Sequence, residues 1–316
     1  MSLFTEQINN WSDWGKLFQS IPAFTPLVEQ IFRIENLPLA KIEKLHPGTN
    51  AVFRVGGYVI KIFAPVDSDD HKGGYGTDVD VELFGMRLAN RRGVPSPRLI
   101  SEGVIEDKYC FRYMVMEYIH GKMLDEIENS LSYDDKVIIG QNMRKITNKL
   151  NAPPCENFTS VDVIQYALVN RDWVDHEGFP ESFETERQAY LDGFQIDEHD
   201  KVYCHGDLHC QNILVDEKMN VYIVDFADAM YAPAEYEQLY VVSALFCFEK
   251  PYMVGYFGGD YSVDNVLELC MKWLPVHAWG HATTEGNLDN VGEITSLAFL
   301  RERLRETISS KKERAA

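Results

Sequence analysis

The sequence predicts an α+β chain in two parts, strand-rich over residues 1–119 and mainly helical over residues 120–316. Three observations predict it. Between Ile42 and Phe63 two apolar runs meet at "VGGY", a Gly-Gly turn between strands. Beyond Gly121 apolar residues recur mostly at helical spacing. That helical part is interrupted by "VYCHGDLHCQNILVDEKMNVYIVDF", Val202 to Phe226, which sets a His, two Asp and an Asn around two short apolar runs.

The elements follow in order. Residues 1–38 read as helical: Trp11, Trp14, Leu17 and Phe18 share one face, and "PAFTPLVEQIFRI" begins a second helix after a proline break. The strands of Ile42 to Phe63 contain the loop "HPGTN". "DVDVELFGMRLANRRGVPSP" is a helix stopped by Gly93 and Pro95, and "YCFRYMVMEYIHG" reads as two strand-like pieces ending at Gly121. Helices are then expected near 124–150, 160–175, 184–193, 235–249, 262–273 and 289–308.

With 316 residues the chain is long enough for about two domains, each with its own core. The 45% hydrophobic and 25% charged content is that of a globular protein, and no apolar run reaches the ~20 residues of a membrane span. "MSLFTEQINNWSDWGKLF" lacks a basic start and an apolar stretch, so no signal peptide is expected. The cysteines at 110, 155, 204, 210, 247 and 270 show neither disulfide nor zinc spacing and read as reduced thiols, placing the protein in the cytoplasm. A net charge of −19 repels a phosphate backbone and excludes nucleic acid as a partner. It suits a cationic small molecule, or simply an acidic surface.

The interrupting segment carries the chemistry. His205-Gly206-Asp207 is followed five residues later by Asn212, and Asp225 closes the next apolar run. A hairpin needs polar residues at its bends but gives no reason for a carboxylate at each strand end. Phosphoryl transfer does: a carboxylate orients the accepting hydroxyl, and metal ions neutralise the phosphates. Asp207 is the candidate base. Asn212 and Asp225 offer a neutral and a charged oxygen to Mg²⁺, a hard cation that takes oxygen ligands. Upstream, "YVIKIF" puts Lys61 inside an apolar strand, where an unpaired ammonium is costly. Glu82 is the carboxylate best placed to answer it, and Asp80 the second choice. The same acids also suit the first turn of a helix.

"YCHGDLHCQN", "DF", "IK" and "GVPSPRLI" together resemble the aminoglycoside phosphotransferase/choline kinase family of small-molecule kinases, from about Leu45 to the C-terminal helices. The resemblance implies a two-lobed protein-kinase-like fold with ATP as donor, GTP as the alternative, and Mg²⁺. It implies that Lys61 meets the α- and β-phosphates and pairs with Glu82. Gly48, Thr49 and Asn50 then lie in the nucleotide-covering loop, and backbone groups of Glu117 and Ile119, in the hinge Met116 to Ile119, receive the adenine. His205 becomes structural. The chain has Ala227 after Asp225-Phe226 and no "APE" segment, which argues against a protein substrate.

For the acceptor, Asp172 to Asp200 holds ten Asp or Glu against one Arg, which suits a polycationic aminoglycoside or a solvated face. Trp173, Tyr231, Tyr236 and Trp279 would instead cage a quaternary ammonium such as choline, or form core. The expectation is a kinase of a small-molecule hydroxyl, with an aminoglycoside leading and choline, a sugar or an amino alcohol behind it. A non-catalytic pseudokinase module is the reading from another class. No membrane partner is expected, and the protein acts as monomer or homodimer.

Overall fold

A computed structural model describes residues 2–46, 48–65, 78–153 and 162–311. The chain divides into two units: Met1–Arg91 with Ser96–His120, and Arg92–Pro95 with Gly121–Ala316. Cys155 lies outside the described residues.

In the first unit Asn10 and Ser20 cap two helices by accepting N–H groups of the first turn, giving α1 (Trp11–Leu17) and α2 (Ile21–Ile34). The strands β1 (Ile42–Lys44), β2 (Ala51–Val55) and β3 (Tyr58–Ile62) follow, then α3 (Asp78–Arg92), β4 (Leu99–Glu106) and β5 (Cys110–Glu117). They form an antiparallel sheet of order β1-β2-β3-β5-β4. Gly56 makes the β2–β3 turn at φ +62°, where a side chain would be strained. Phe4, Trp14, Phe24, Ile31 and Phe32 pack with Phe53, Ile60 and Phe111 of the sheet in one core. Residues 2–8 are tied down as well. The Asp107 carboxylate accepts from Ser2 Oγ and the N–H groups of Leu3 and Phe4, and Tyr109 Oη accepts from the Ile8 N–H.

In the second unit β6 (Lys122–Met123) leads into α4 (Leu124–Ile127), α5 (Tyr133–Leu150), α6 (Val163–Val169), α7 (Asp172–Asp175) and α8 (Glu181–Asp192). The central segment gives β7 (Lys201–Cys204), β8 (Ile213–Val215), β9 (Val221–Ile223) and β10 (Met230–Pro233). Then come α9 (Ala234–Tyr240), α10 (Lys250–Phe257), α11 (Val263–Trp273), α12 (Gly280–Asn287) and α13 (Leu297–Ser310). The strands form two small antiparallel sheets, β10-β7 and β6-β8-β9. Helices α5 and α10 cross with backbones almost touching. A Cβ on Gly140 would lie 2.2 Å from the Tyr252 carbonyl oxygen, and one on Gly255 2.1 Å from that of Val137.

Five sequence expectations need correction. The 160–175 helix is two, α6 and α7, parted where Asn170 is extended, and residues 160 and 161 lie outside the described residues. "YCFRYMVMEYIHG" is one strand, β5, and its partner β4 was not anticipated. β4 is an edge strand with only Ile105 buried and Val104 half exposed, so it lacks the apolar alternation that marks a strand. The 124–150 helix is broken, because Ser132 and Asp135 form a capping box that starts α5 afresh. The 235–249 helix ends in a π-helical turn, Val241–Leu245, followed by Cys247 and Phe248 at positive φ; α10 then starts with Pro251 in its first turn. The last helix begins at Leu297, not 289, where Ser296 caps it.

Candidate active site

Lys61 stands on the central strand β3, so its stem is surrounded by core and its ammonium must be answered there. Its Nζ lies 2.8 Å from Glu82 Oε1 and 2.7 Å from Oε2, with both residues buried. Asp80 faces elsewhere and pairs with Arg112 at 2.6 Å. In the preceding loop Gly48 and Thr49 are exposed. Asn50 is buried, and its Oδ1 accepts the Ala64 N–H, tying the loop to the end of β3. Trp14 Nε1 donates to the Thr49 carbonyl at 2.8 Å, so α1 holds the same loop from the other side. At the end of β5 the Glu117 N–H donates to the Arg98 carbonyl and the Tyr118 N–H to that of Gly57.

In the second unit the catalytic-loop candidates hang between β7 and β8. Gly206 takes φ +84°, and a Cβ there would sit 2.1 Å from the Asp228 carbonyl oxygen; only glycine makes this bend. The buried His205 places Nε2 3.0 Å from the Val224 carbonyl, and its Nδ1 accepts the Asp207 N–H at 3.4 Å. Burial lowers its pKa, so the ring is neutral with its proton on Nε2. Asn212 Nδ2 reaches both the Asp207 carbonyl at 2.8 Å and Asp207 Oδ2 at 3.0 Å. That use of the amide nitrogen leaves Asn212 Oδ1 as the outward ligand atom. The Val224 N–H donates to the Asn212 carbonyl, which sets Asp225 beside it at φ +63°, a left-handed conformation that Asp tolerates better than most residues.

Three residues that the sequence did not single out complete this cluster. His209 Nε2 lies 3.2 Å from Asp207 Oδ2, and Tyr240 Oη donates to Oδ1 at 3.0 Å. Burial opposes charge on both Asp207 and His209. The hydrogen bonds and mutual attraction win, lowering the Asp207 carboxyl and pushing His209 up to about 10. Glu237, from α9, accepts the N–H groups of His205 and Gly206 on its two oxygens, each at 3.0 Å. Burial nevertheless pushes its carboxyl up to about 7. A Glu inside the apolar run "AEYEQLY" was the available signal for it.

Asn212 and Asp225 offer the oxygen donors that Mg²⁺ prefers. Among the described residues no group of three or more His, Cys, Asp or Glu forms a metal cluster. An ion held by these two residues would therefore complete its shell with phosphate and water oxygens, as Mg²⁺ commonly does.

Four of the ten acids of the segment are paired with nearby arginines or histidines. Asp172 meets His176 at 3.1 Å and His281 at 3.8 Å, and Arg171 meets Asp175 at 3.8 Å and Glu181 at 2.9 Å. Glu184 pairs with the buried Arg187 at 2.9 Å. Of the four aromatics proposed for a cage, Trp173 and Tyr236 are core.

The phosphotransferase enzyme family profile matches residues 48–265. No curated protein sequence matches the chain. Among solved structures, the GDP complex of aminoglycoside 2'-phosphotransferase-IIIa is 18% identical, with 91% of this chain and 99% of that one covered at a TM-score of 0.60. A choline/ethanolamine kinase family protein from Mesorhizobium loti is 17% identical, with coverage of 85% and 87% and a TM-score of 0.52. The choline kinase LicA from Streptococcus pneumoniae is 15% identical, with coverage of 89% and 98% and a TM-score of 0.51. No helix among the described residues is long and apolar enough to cross a membrane. The chain belongs to the phosphotransferase enzyme family and has the kinase-like fold of these small-molecule kinases.

Proposed function

We propose that the protein transfers the γ-phosphate of ATP, or of GTP as the alternative donor, to a hydroxyl of a small cationic molecule, with an aminoglycoside as the leading acceptor. The observation that carries the reading is the Asp207 carboxylate, held on both oxygens beside an Asn212 whose amide oxygen is left for a cation. Asp207 orients the acceptor hydroxyl and takes its proton as the oxygen bonds to the γ-phosphorus. The bond from phosphorus to the β–γ bridging oxygen breaks, and the nucleoside diphosphate leaves. Mg²⁺ on Asn212 and Asp225 would neutralise phosphate charge. By the resemblance, Lys61 would contact the phosphates, and Gly48, Thr49 and Asn50 would form the covering loop. Ile119 and the Glu117 carbonyl take the adenine, since the Glu117 N–H is given to Arg98.

Choline stands second. With Trp173 and Tyr236 in the core, the alternative of an aromatic cage loses two of its walls, which favours a larger, polar acceptor. The test is nucleotide consumption against kanamycin, spectinomycin, choline, ethanolamine and simple sugars, for parent and Asp207→Asn. Turnover with kanamycin that falls at least ~10²-fold in Asp207→Asn supports the proposal. Turnover with choline alone would replace the acceptor, and no turnover with any would favour a nucleotide-binding module without catalysis.

A further inference from the structure

Asp207 can orient a hydroxyl only if its own carboxylate is prevented from rotating about its side-chain bond. The groups around it are unequal. Oδ2 receives Asn212 Nδ2 at 3.0 Å and His209 Nε2 at 3.2 Å, whereas Oδ1 receives Tyr240 Oη at 3.0 Å. A carboxylate offers about four lone-pair directions, so these donors leave one on Oδ1, next to the tyrosine hydroxyl.

Tyr240 is itself fixed from behind. Its ring lies parallel to that of His277, at an interplanar angle of 3° and a centroid distance of 4.7 Å, and His277 stacks in turn on Tyr236 at 4.1 Å. All three rings are buried. The turn after α11 pins the column by its backbone. The Trp279 N–H donates to His277 Nδ1 and the Ala278 N–H to Tyr236 Oη, both at 3.1 Å, while the Trp273 ring closes edge-on against Tyr236. With Nδ1 accepting, the neutral imidazole carries its proton on Nε2. Burial lowers its pKa to about 3, so the ring stays uncharged.

Resting on the reading of Asp207 as the group that meets the acceptor hydroxyl, we propose that Tyr240 is a positioning residue that aims Asp207, with Oδ1 as the oxygen that receives the hydroxyl. The stacked rings of His277 and Tyr236 hold Tyr240 in the plane this requires. The hydroxyl of Tyr240 acts through the carboxylate.

Tyr240→Phe keeps the ring and its stack and removes only the donor. The expected result is a kcat at least about 10-fold lower in single turnover, with KM for nucleotide and acceptor within about twofold of the parent, the signature of an interaction that matters in the transition state. His277→Leu, which frees the ring plane, should lower kcat in the same sense but less. A crystal structure of Tyr240→Phe should show the Asp207 carboxylate rotated, a readout that needs no acceptor. The acceptor is whichever of kanamycin, spectinomycin, choline and ethanolamine the parent turns over fastest. Parent-like kcat in Tyr240→Phe, or an unrotated Asp207, overturns the proposal while Asp207→Asn is inactive. Parent-like turnover in Asp207→Asn overturns instead the reading of Asp207 on which it rests. A kcat loss matched by an equal loss of folded protein in thermal melting also overturns it.

Discussion

Lys61 Nζ sits 2.7 Å from Glu82 Oε2, and neither side chain has more than a few per cent of its surface in contact with solvent. Removing one partner strands the other charge, so Lys61→Met is expected to destabilise the protein by about 3–5 kcal/mol. Lys61→Met with Glu82→Leu should recover much of that stability, because a buried pair replaced by apolar groups is often close to neutral. Nucleotide affinity should not recover with it. Chemical denaturation alongside calorimetric ATP binding separates the two, and a double variant that regains both would remove Lys61 from the nucleotide site.

The metal ligands are tested by titrating Mg²⁺ against turnover. Asp225→Ala is expected to abolish Mg²⁺-dependent turnover. Asn212→Ala should raise the Mg²⁺ requirement and also lower kcat, since its nitrogen is spent on Asp207. An unchanged metal requirement in either variant would remove that residue from the ligand set.

Glu237 predicts a slope of stability with pH. Its carboxyl is raised to about 7 by burial, above the ordinary carboxylate value. The fold therefore favours the protonated form. This contribution is complete below about pH 4.5 and is lost as pH rises through about 7, by an amount on the order of 3 kcal/mol. Glu237→Gln cannot ionise and should flatten that slope. It should also cost about 1–3 kcal/mol at pH 5, because its NH₂ confronts a backbone N–H. Urea midpoints at pH 5 and pH 8 measure both effects; parallel profiles for parent and variant would contradict the assignment.

The acidic segment offers the test of acceptor charge. Asp172 is engaged by two histidines, whereas Asp175 is more exposed and meets only Arg171, at 3.8 Å, so Asp175 and Glu177 are the better pair to neutralise. With a polycationic acceptor, Asp175→Asn with Glu177→Gln should raise acceptor KM about 3-fold or more at low salt and leave nucleotide KM unchanged. The difference should shrink near 0.15 M salt, where screening acts over about 8 Å. Equal KM values at both salts would mark the segment as a solvated face.

Some residues whose burial carries an electrostatic cost announced themselves in the sequence, although Glu237 did not. A lysine in an apolar strand, and carboxylates closing two strands, are costly unless something answers them, and such positions stand out without coordinates. Gly56, Gly93 and the α3 pattern were legible for a similarly local reason: turn chemistry and helical spacing act within a few residues. Tyr240 and His277 were not. Tyr240 reads as ordinary helix core and His277 as a turn residue, and their meaning arises only when residues 37 positions apart stack. β4 escaped because an edge strand need not alternate, and the breaks at Ser132 and Phe248 escaped because caps and left-handed residues act against a continuing apolar period.

The anchoring of residues 2–8 has a consequence for the order of events during synthesis. Phe4 packs against Phe111 at 5.1 Å, and the N–H groups of Leu3 and Phe4 are satisfied by Asp107. The two ends of that contact leave the ribosome roughly a hundred residues apart, about 5–20 s at ordinary elongation rates. Phe24 can meet Phe53 once β2 has emerged, but Phe4 and Ile8 wait for Asp107, Tyr109 and Phe111. The N-terminal strap is therefore the last part of the first unit to be fastened, when the β4–β5 hairpin arrives, and until then Phe4 and Ile8 are what a ribosome-bound chaperone would meet.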